Sequence, residues 1–189
     1  FDRFAADFDR QLQHLGYRAP DLVLAEVERE FGSEARGLDV LDAGCGTGLC
    51  GSGLRGRAGR LVGVDLSPEM LKRASGRGVY DELVEAELTD YLNRSPAMFD
   101  LIVAVDTLNY FGVLESVFRA ANRALRKGGR LMFTLEVAET EDAAAGYRLN
   151  PHGRYSHARK YVEDALDSAH LTRLRVSTAV LRTEAGRGV

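Results

Sequence analysis

A glycine-rich segment between two apolar runs constrains this 189-residue chain more than any other feature. The first run ends on Asp42 and the second, residues 61–64, ends on Asp65. Three alternate glycines follow the first acid: Gly44, Gly46 and Gly48. Such a turn lets backbone N–H groups approach a ligand because no Cβ intervenes. An acid at the tip of the next strand can accept both hydroxyls of a ribose, so the pair predicts a nucleoside site at a sheet edge.

Stretches of strand length alternate with amphipathic stretches from residue 38 onward. Strands are predicted at residues 39–42, 60–65, 83–86, 99–105, 130–136 and 174–181. Helices are predicted from residue 49 and at residues 68–75, 89–93, 113–126 and 158–169. This alternation is typical of a doubly wound, mostly parallel α/β sheet with helices on both faces. The length suits one domain with one core.

The charge and the composition exclude several other classes of protein. The formal net charge is −3 and the arginines are scattered, so no basic surface for nucleic acid is expected. No apolar run approaches the ~20 residues that span a bilayer. The only cysteines, Cys45 and Cys50, do not form a metal-binding pattern with the dispersed histidines. We therefore expect a cytoplasmic protein with reduced cysteines, no metal and neither a membrane nor a nucleic-acid partner.

The glycine segment and the sequence around Asp65 also carry a family resemblance. Asp42-x-Gly44-x-Gly46-x-Gly48, followed by Gly-Val-Asp-Leu-Ser-Pro-Glu-Met-Leu at residues 63–71, resembles the class I methyltransferases that use S-adenosylmethionine. The likeness is to their small-molecule, methyltransferase-like branch in particular, and residues 99–103 and 125–131 agree with it. It implies methyl transfer from S-adenosylmethionine to a small-molecule acceptor by in-line displacement, with S-adenosylhomocysteine as the product.

The resemblance also implies a layout for the whole chain. Residues 1–36 would form an N-terminal helical lid and residues 37–189 the Rossmann-like core. Phe4 and Phe8 would lie over the cofactor, while Arg10 and Arg18 are candidates for its carboxylate. The family's sheet ends in an antiparallel hairpin, and we expect its seventh strand to be incomplete here. The oligomeric state cannot be predicted from these features.

Twelve residues are implied as cofactor contacts by position in the family pattern. Asp65 would bind the ribose hydroxyls, Leu66 and Met70 would line adenine, and Glu87 would face the adenine amino group, with Asp90 as its competitor. Asp106 would approach the ammonium group of the methionine portion. The full set is Asp42, Gly44, Cys45, Gly46, Gly48, Asp65, Leu66, Met70, Glu87, Leu88, Val105 and Asp106.

The acceptor pocket is predicted under residues 147–157, the longest break in the alternating pattern. This segment follows the fifth strand, so it emerges at the carboxyl edge of the sheet, where open α/β folds bind ligands. It is rich in groups that can form hydrogen bonds or titrate. Candidates for orienting or deprotonating the acceptor are Tyr110, Glu136, Tyr155 and His157.

Two other functions remain open at this point. Residues 46–51 formally match the Gly-x-Gly-x-x-Gly of NAD(P)-dependent oxidoreductases, with Asp65 about twenty residues further on. However, Asp42 at the end of the first strand would repel a pyrophosphate, and no second mononucleotide half follows. The other alternative is a non-catalytic module that keeps the cofactor site but serves a partner protein.

Overall fold

The computed structural model describes residues 16–138 and 145–181, together with the backbone of residues 183–184 and 187–188. Its main sheet has five parallel strands in the order β3-β2-β1-β4-β5. The strands are β1 (Leu38–Ala43), β2 (Ala58–Asp65), β3 (Glu82–Glu85), β4 (Phe99–Ala104) and β5 (Leu125–Phe133). The order reverses between β1 and β4, and this switch point is where such sheets bind ligands.

Helices cover both faces of this sheet. They are α1 (Ala19–Phe31), α2 (Leu49–Leu54), α3 (Pro68–Gly76), α4 (Leu88–Asn93), α5 (Glu115–Ala124) and α6 (Arg159–Ser168). Successive residues of a strand point to opposite faces, and β1 follows this rule: Val40 packs with residues of α1 and α2, whereas Leu41 packs with residues of α4, α5 and α6. The predicted doubly wound α/β fold is therefore confirmed.

A second, three-stranded sheet occupies much of the predicted polar connection. Its strands are β6 (Glu136–Val137), β7 (Tyr147–Leu149) and β8 (Tyr155–His157), in the order β6-β8-β7. Residues 147–157, which the sequence predicted to interrupt the pattern of strands and helices, contain β7 and β8, which pair antiparallel. Strands β7 and β8 have three residues each, so their apolar pattern is too short to show a period.

The predicted sixth strand at residues 174–181 was also wrong. In the described part of the chain these residues belong to no helix or strand. The side chains of Leu174, Val176 and Val180 are exposed rather than packed. Alternating apolar residues favour a strand only when a neighbour supplies the backbone hydrogen bonds. Two short antiparallel strands, β9 (Thr183–Glu184) and β10 (Arg187–Gly188), follow residues 174–181.

The N-terminal segment divides into two parts. Residues 1–15 of the predicted N-terminal helical lid, with Phe4, Phe8 and Arg10, lie outside the described residues, so the role of this segment as a lid stays a prediction. Helix α1 packs on the sheet through its buried Val23 and Val27. No helix within residues 16–138 or 145–181 is long and apolar enough to cross a membrane.

Candidate cofactor site

The glycine turn after β1 has a left-handed backbone at each of its three glycines, with φ of +72°, +53° and +83° at Gly44, Gly46 and Gly48. The space around Gly44 differs from the space around Gly46. A Cβ on Gly44 would lie 2.3 Å from Oγ1 of Thr107, whereas a Cβ on Gly46 would meet nothing within 4 Å. Gly44 is thus required by packing against the end of β4, while Gly46 opens onto free space where a ligand can approach.

The turn uses its backbone donors internally. The N–H groups of Gly44 and Cys45 donate to the carbonyl oxygen of Val64, at 2.8 and 3.0 Å. The N–H of Gly48 donates to the Cys45 carbonyl. These N–H groups are therefore not available to a ligand, although the sequence predicted that N–H groups of this turn would approach one. Helix α2, which follows the turn, has six residues. Side chains at this edge are accordingly the main candidates for contacts with a ligand.

Asp65 closes the mouth of the turn. One carboxylate oxygen accepts the Gly46 N–H at 2.8 Å and the other accepts the Ser67 N–H at 2.9 Å. A carboxylate has about four lone-pair sites in all, so each oxygen keeps one for a further donor. The acid is held by two backbone groups in a position where it can still accept two hydroxyls.

Asp42 lies deeper, at the end of β1, with 2% of its surface exposed. One of its carboxylate oxygens accepts a hydrogen bond from the Tyr80 hydroxyl at 2.7 Å. Burial raises the pKa of Asp42 to about 7, the Tyr80 hydrogen bond opposes that rise, and the negative charge of Asp65 adds to it. Burial likewise raises the pKa of the Tyr80 phenol, so Tyr80 remains a donor at neutral pH.

The segment that leaves β4 joins the two halves of the sheet. The Thr107 hydroxyl donates to the Ala43 carbonyl at 2.8 Å, so the exit of β4 is tied to the exit of β1. Asp106 has a left-handed backbone, with φ of +52°, and its N–H donates to the Thr134 hydroxyl at 2.8 Å. The amide nitrogen of the buried Asn109 lies 3.4 Å from an Asp106 carboxylate oxygen. Asp42, Asp65 and Asp106 therefore stand at the ends of three neighbouring strands.

The residues predicted to line adenine have mixed surroundings. Leu66 is 69% exposed, as a ligand-facing residue can be, whereas Met70 and Leu88 are buried in the protein core. Glu87 caps helix α4: its carboxylate accepts the Asp90 N–H at 2.7 Å and the Thr89 hydroxyl at 3.1 Å. Thr89, where the predicted helix begins, is thus the second residue of α4. Val105 is partly buried at the end of β4.

The predicted acceptor segment forms an aromatic cluster around His157, with Tyr147, Tyr155 and Tyr161, which we call the tyrosine–histidine cluster. His157 is 2% exposed, and its Nε2 lies 3.2 Å from the Gly112 carbonyl oxygen, so this nitrogen carries the proton. Burial lowers the pKa of His157. Its Nδ1 is buried without a hydrogen-bond partner among the described residues. The arrangement resembles a packed core more than an open general base.

The other two acceptor candidates differ in exposure. The Glu136 carboxylate, in β6, is paired with the Arg154 guanidinium and lies 3.5 Å from Nε2 of His152. Tyr110, in a single 3-10 turn at Leu108–Tyr110, is 44% exposed. Of the four candidates, the structure leaves Tyr110 the most accessible. Their catalytic roles stay predictions. No group of three or more metal-binding side chains occurs in the described ranges.

Sequence reasoning missed Tyr80. Its ring lies in a slot bordered by three glycines: Gly48 in the turn, Gly51 in α2 and Gly63 in β2. A Cβ added at these positions would lie 2.9, 2.3 and 3.0 Å, respectively, from the Tyr80 ring or its hydroxyl. Glycines inside a helix and a strand are a recognised signal of close approach by another group. That signal shows that something packs there but does not say which residue.

Comparisons with known proteins agree with this geometry. Residues 41–133 match the methyltransferase domain family. A ubiquinone biosynthesis O-methyltransferase of Thiobacillus denitrificans is 36% identical over 104 residues, which are 52% of this chain and 44% of that protein. Human methyltransferase-like protein 27 is 35% identical over 111 residues, which are 58% of this chain and 45% of that protein. The chain thus spans less than half the length of both.

A solved structure extends the likeness over most of the fold. The S-adenosylmethionine-dependent methyltransferase of Mesorhizobium loti superposes with a TM-score of 0.62 over 84% of this chain and 85% of that one, at 22% identity. The five-stranded sheet, its glycine turn and the acid after β2 define a class I methyltransferase fold. The chain belongs to the class I, S-adenosylmethionine-dependent methyltransferase family.

Proposed function

We propose that this protein binds S-adenosylmethionine at the carboxyl edge of β1, β2 and β4 and methylates a small-molecule acceptor. The observation that carries the proposal is the position of Asp65, which accepts the N–H of Gly46 at 2.8 Å and so fixes the acid at the mouth of the glycine turn. Its two remaining acceptor sites match in number the two hydroxyls of a ribose.

The charges at this edge support the same ligand. Asp42, Asp65 and Asp106 end three neighbouring strands, and the Coulomb repulsion of Asp65 is felt at Asp42. Acids in this arrangement favour a ligand with positive groups, such as a sulfonium and an ammonium, and disfavour a pyrophosphate. The chemistry of the donor set therefore fits S-adenosylmethionine better than a nicotinamide dinucleotide. The cofactor supplies an activated methyl group, and the protein aligns the acceptor and excludes water.

The acceptor would approach from Tyr110 and the segment at residues 147–157. Tyr110 is exposed next to Gly112, and the rings of Tyr147 and Tyr155 lie against that glycine. The relative from Thiobacillus denitrificans is by name an O-methyltransferase of ubiquinone biosynthesis, which supports a small organic acceptor. The free thiols of Cys45 and Cys50 support the cytoplasmic location that we propose.

Calorimetry with S-adenosylhomocysteine tests the cofactor proposal. Asp65→Ala removes one bidentate, charge-assisted contact worth about 2–3 kcal/mol, so affinity should fall roughly thirtyfold or more. Asp81→Ala is the matched control, because Asp81 also accepts a backbone N–H, that of Leu61 at 2.7 Å, but just before β3 at the opposite edge. Equal losses in both variants, or tighter binding of a nicotinamide dinucleotide, would refute the proposal.

An acceptor screen separates an enzyme from a binding module. A panel of phenols, carboxylic acids and amines is incubated with S-adenosylmethionine, and release of S-adenosylhomocysteine is measured. Turnover that Asp65→Ala abolishes and Asp81→Ala preserves is the expected result. Tight cofactor binding without turnover across all three acceptor classes would favour the non-catalytic module.

A further inference from the structure

The Tyr80 slot points to a role beyond packing, and the inference rests on the proposed function of the glycine turn. Glycines from three segments of the chain border the phenol ring that reaches Asp42: Gly48 in the turn, Gly51 in helix α2 and Gly63 in strand β2. At Gly48 and Gly51 the phenol is the nearest neighbour of an added Cβ, at 2.9 and 2.3 Å, whereas at Gly63 an added Cβ would also meet Leu83, at 2.7 Å. A ring that only filled space would not need its hydroxyl to end 2.7 Å from a buried carboxylate.

The segment that carries Tyr80 also holds the turn by a second contact. Nε of Arg77 donates to the Thr47 carbonyl at 2.5 Å, and Cδ of the same residue would be 3.0 Å from a Cβ on Gly48. Residues 77–80, which link α3 to β3, thus grip the turn and present a donor to Asp42. This places the phenol behind the turn, where it contacts the acid and not the open space at Gly46.

We propose that Tyr80 is a positioning residue that keeps the carboxylate of Asp42 ionised and oriented for the positively charged methionine portion of the cofactor. A buried carboxylate is stable as an anion only when donors or opposite charges compensate it. Among the contacts described for Asp42, the hydrogen bond from Tyr80 is the one that favours the charged form. Without it, Asp42 takes up a proton and no longer attracts an ammonium group.

The surroundings of Asp42 strengthen this dependence. Asp65 faces it from the end of β2, and its negative charge disfavours ionisation of Asp42. Cys45 in the turn and Cys50 in α2 are the other titratable groups beside it; both thiols stay protonated because burial raises their pKa. Asp106, at the exit of β4, acts on Cys50 in the same sense. These neighbours supply no positive charge, and the charge that acts on Asp42 is that of Asp65 rather than that of Arg77, whose Nε donates to the Thr47 carbonyl. A hydroxyl donor therefore has a large effect on the ionisation of Asp42.

The pH dependence of cofactor affinity tests the role of Tyr80. S-adenosylhomocysteine affinity is measured by calorimetry from pH 5.5 to pH 9 for the wild type, Tyr80→Phe and the control Tyr91→Phe. Tyr91 is a half-buried phenol that packs against Phe99, away from the turn. Loss of the Tyr80 hydroxyl should weaken binding roughly five- to fifteenfold at pH 7 and less than about twofold at pH 9. Tyr91→Phe should follow the wild type, and the amino group of the ligand titrates equally in all three.

A double-mutant cycle covers the case in which Tyr80→Phe affects folding. Asp42→Asn cannot ionise, so its affinity should be weaker and lack the step near pH 7. Adding Tyr80→Phe to it should change affinity by less than about twofold if Tyr80 acts through Asp42. A Tyr80→Phe profile parallel to the wild type at every pH, or full additivity in the cycle, would overturn the inference. A wild type that does not bind the ligand at all would refute the proposed function instead.

Discussion

The Tyr80 slot and the tyrosine–histidine cluster are packed in the same way but surround groups of opposite acid–base character. Each admits aromatic rings against glycines: Tyr80 lies on Gly51, and the rings of Tyr147 and Tyr155 lie on Gly112. The slot leads to a buried acid, Asp42, whereas the cluster encloses a buried base, His157. Burial disfavours the charged form of both groups, so it raises the pKa of the acid and lowers the pKa of the base.

The two regions therefore respond to pH with opposite signs. Ionising Asp42 costs stability in the unliganded protein as the pH rises from its ordinary pKa of 3.8 toward about 7. Protonating His157 costs stability as the pH falls below the ordinary imidazole value of 6.5. The comparison teaches that ionised Asp42 lowers the stability of the unliganded fold in a place where a positively charged ligand would bind. The neutral imidazole of His157 carries no such cost at neutral pH.

The largest expected effect comes from Asp42→Asn, which removes the buried charge but keeps an oxygen for Tyr80. A folded-state pKa of about 7 against 3.8 corresponds to roughly 4 kcal/mol. The unliganded variant should therefore be more stable than the wild type by about that amount at pH 8 and equal to it near pH 4. Urea denaturation at both pH values measures this. A variant less stable than the wild type at pH 8 would break the comparison.

The next effect comes from Gly51→Ala, which places a Cβ 2.3 Å from the Tyr80 hydroxyl oxygen. The phenol must move away from Asp42, so we expect a loss of about 2–3 kcal/mol at pH 8 and weaker cofactor binding. Gly112→Ala is the counterpart in the other region, with ring carbons of Tyr147 and Tyr155 at 2.9 and 3.0 Å. It should destabilise the fold and leave cofactor affinity within about twofold. Loss of affinity in both variants would show that the regions are not independent.

The third effect is the loss of folding stability at low pH that His157 contributes. Because burial lowers its folded-state pKa, its stabilising contribution is complete above pH 6.5 and is lost as the pH falls below that value. His157→Gln should lower stability at pH 7.5 but abolish this decline. Unfolding of both proteins in urea at pH 5 and pH 7.5 gives the difference. An identical decline of stability in the variant would show that another group causes the loss of stability at low pH.

The smallest effect concerns Tyr155→Phe, which keeps the ring on Gly112 and removes only the hydroxyl. Stability should change by less than about 0.5 kcal/mol and cofactor affinity by less than about twofold. If the acceptor contacts this hydroxyl, turnover alone falls. Tyr110→Phe serves as the companion variant, since Tyr110 is the most exposed of the candidates. Full turnover in both would move the acceptor pocket away from residues 147–157.

The sequence predicted where the glycine turn and Asp65 lie in the fold. Their positions at the ends of two strands follow from backbone geometry, and that geometry is local in sequence. The surroundings of His157 depend on Gly112 and Tyr161, which come from other elements, so neither its burial nor its partner could be inferred from its neighbours in the chain. Tyr80 was missed for the same reason, because its contact to Asp42 joins residues 38 positions apart.

The Tyr80 slot also has a consequence for how this lineage can diverge. A side chain at position 51 is compatible only with a smaller residue at position 80, since a Cβ there would come within 2.3 Å of the phenol oxygen. Gly51 and Tyr80 should therefore be inherited together or exchanged together. Descendants that lose the tyrosine would be free to place a side chain at position 51, and this correlated replacement would be visible as covariation among homologous sequences.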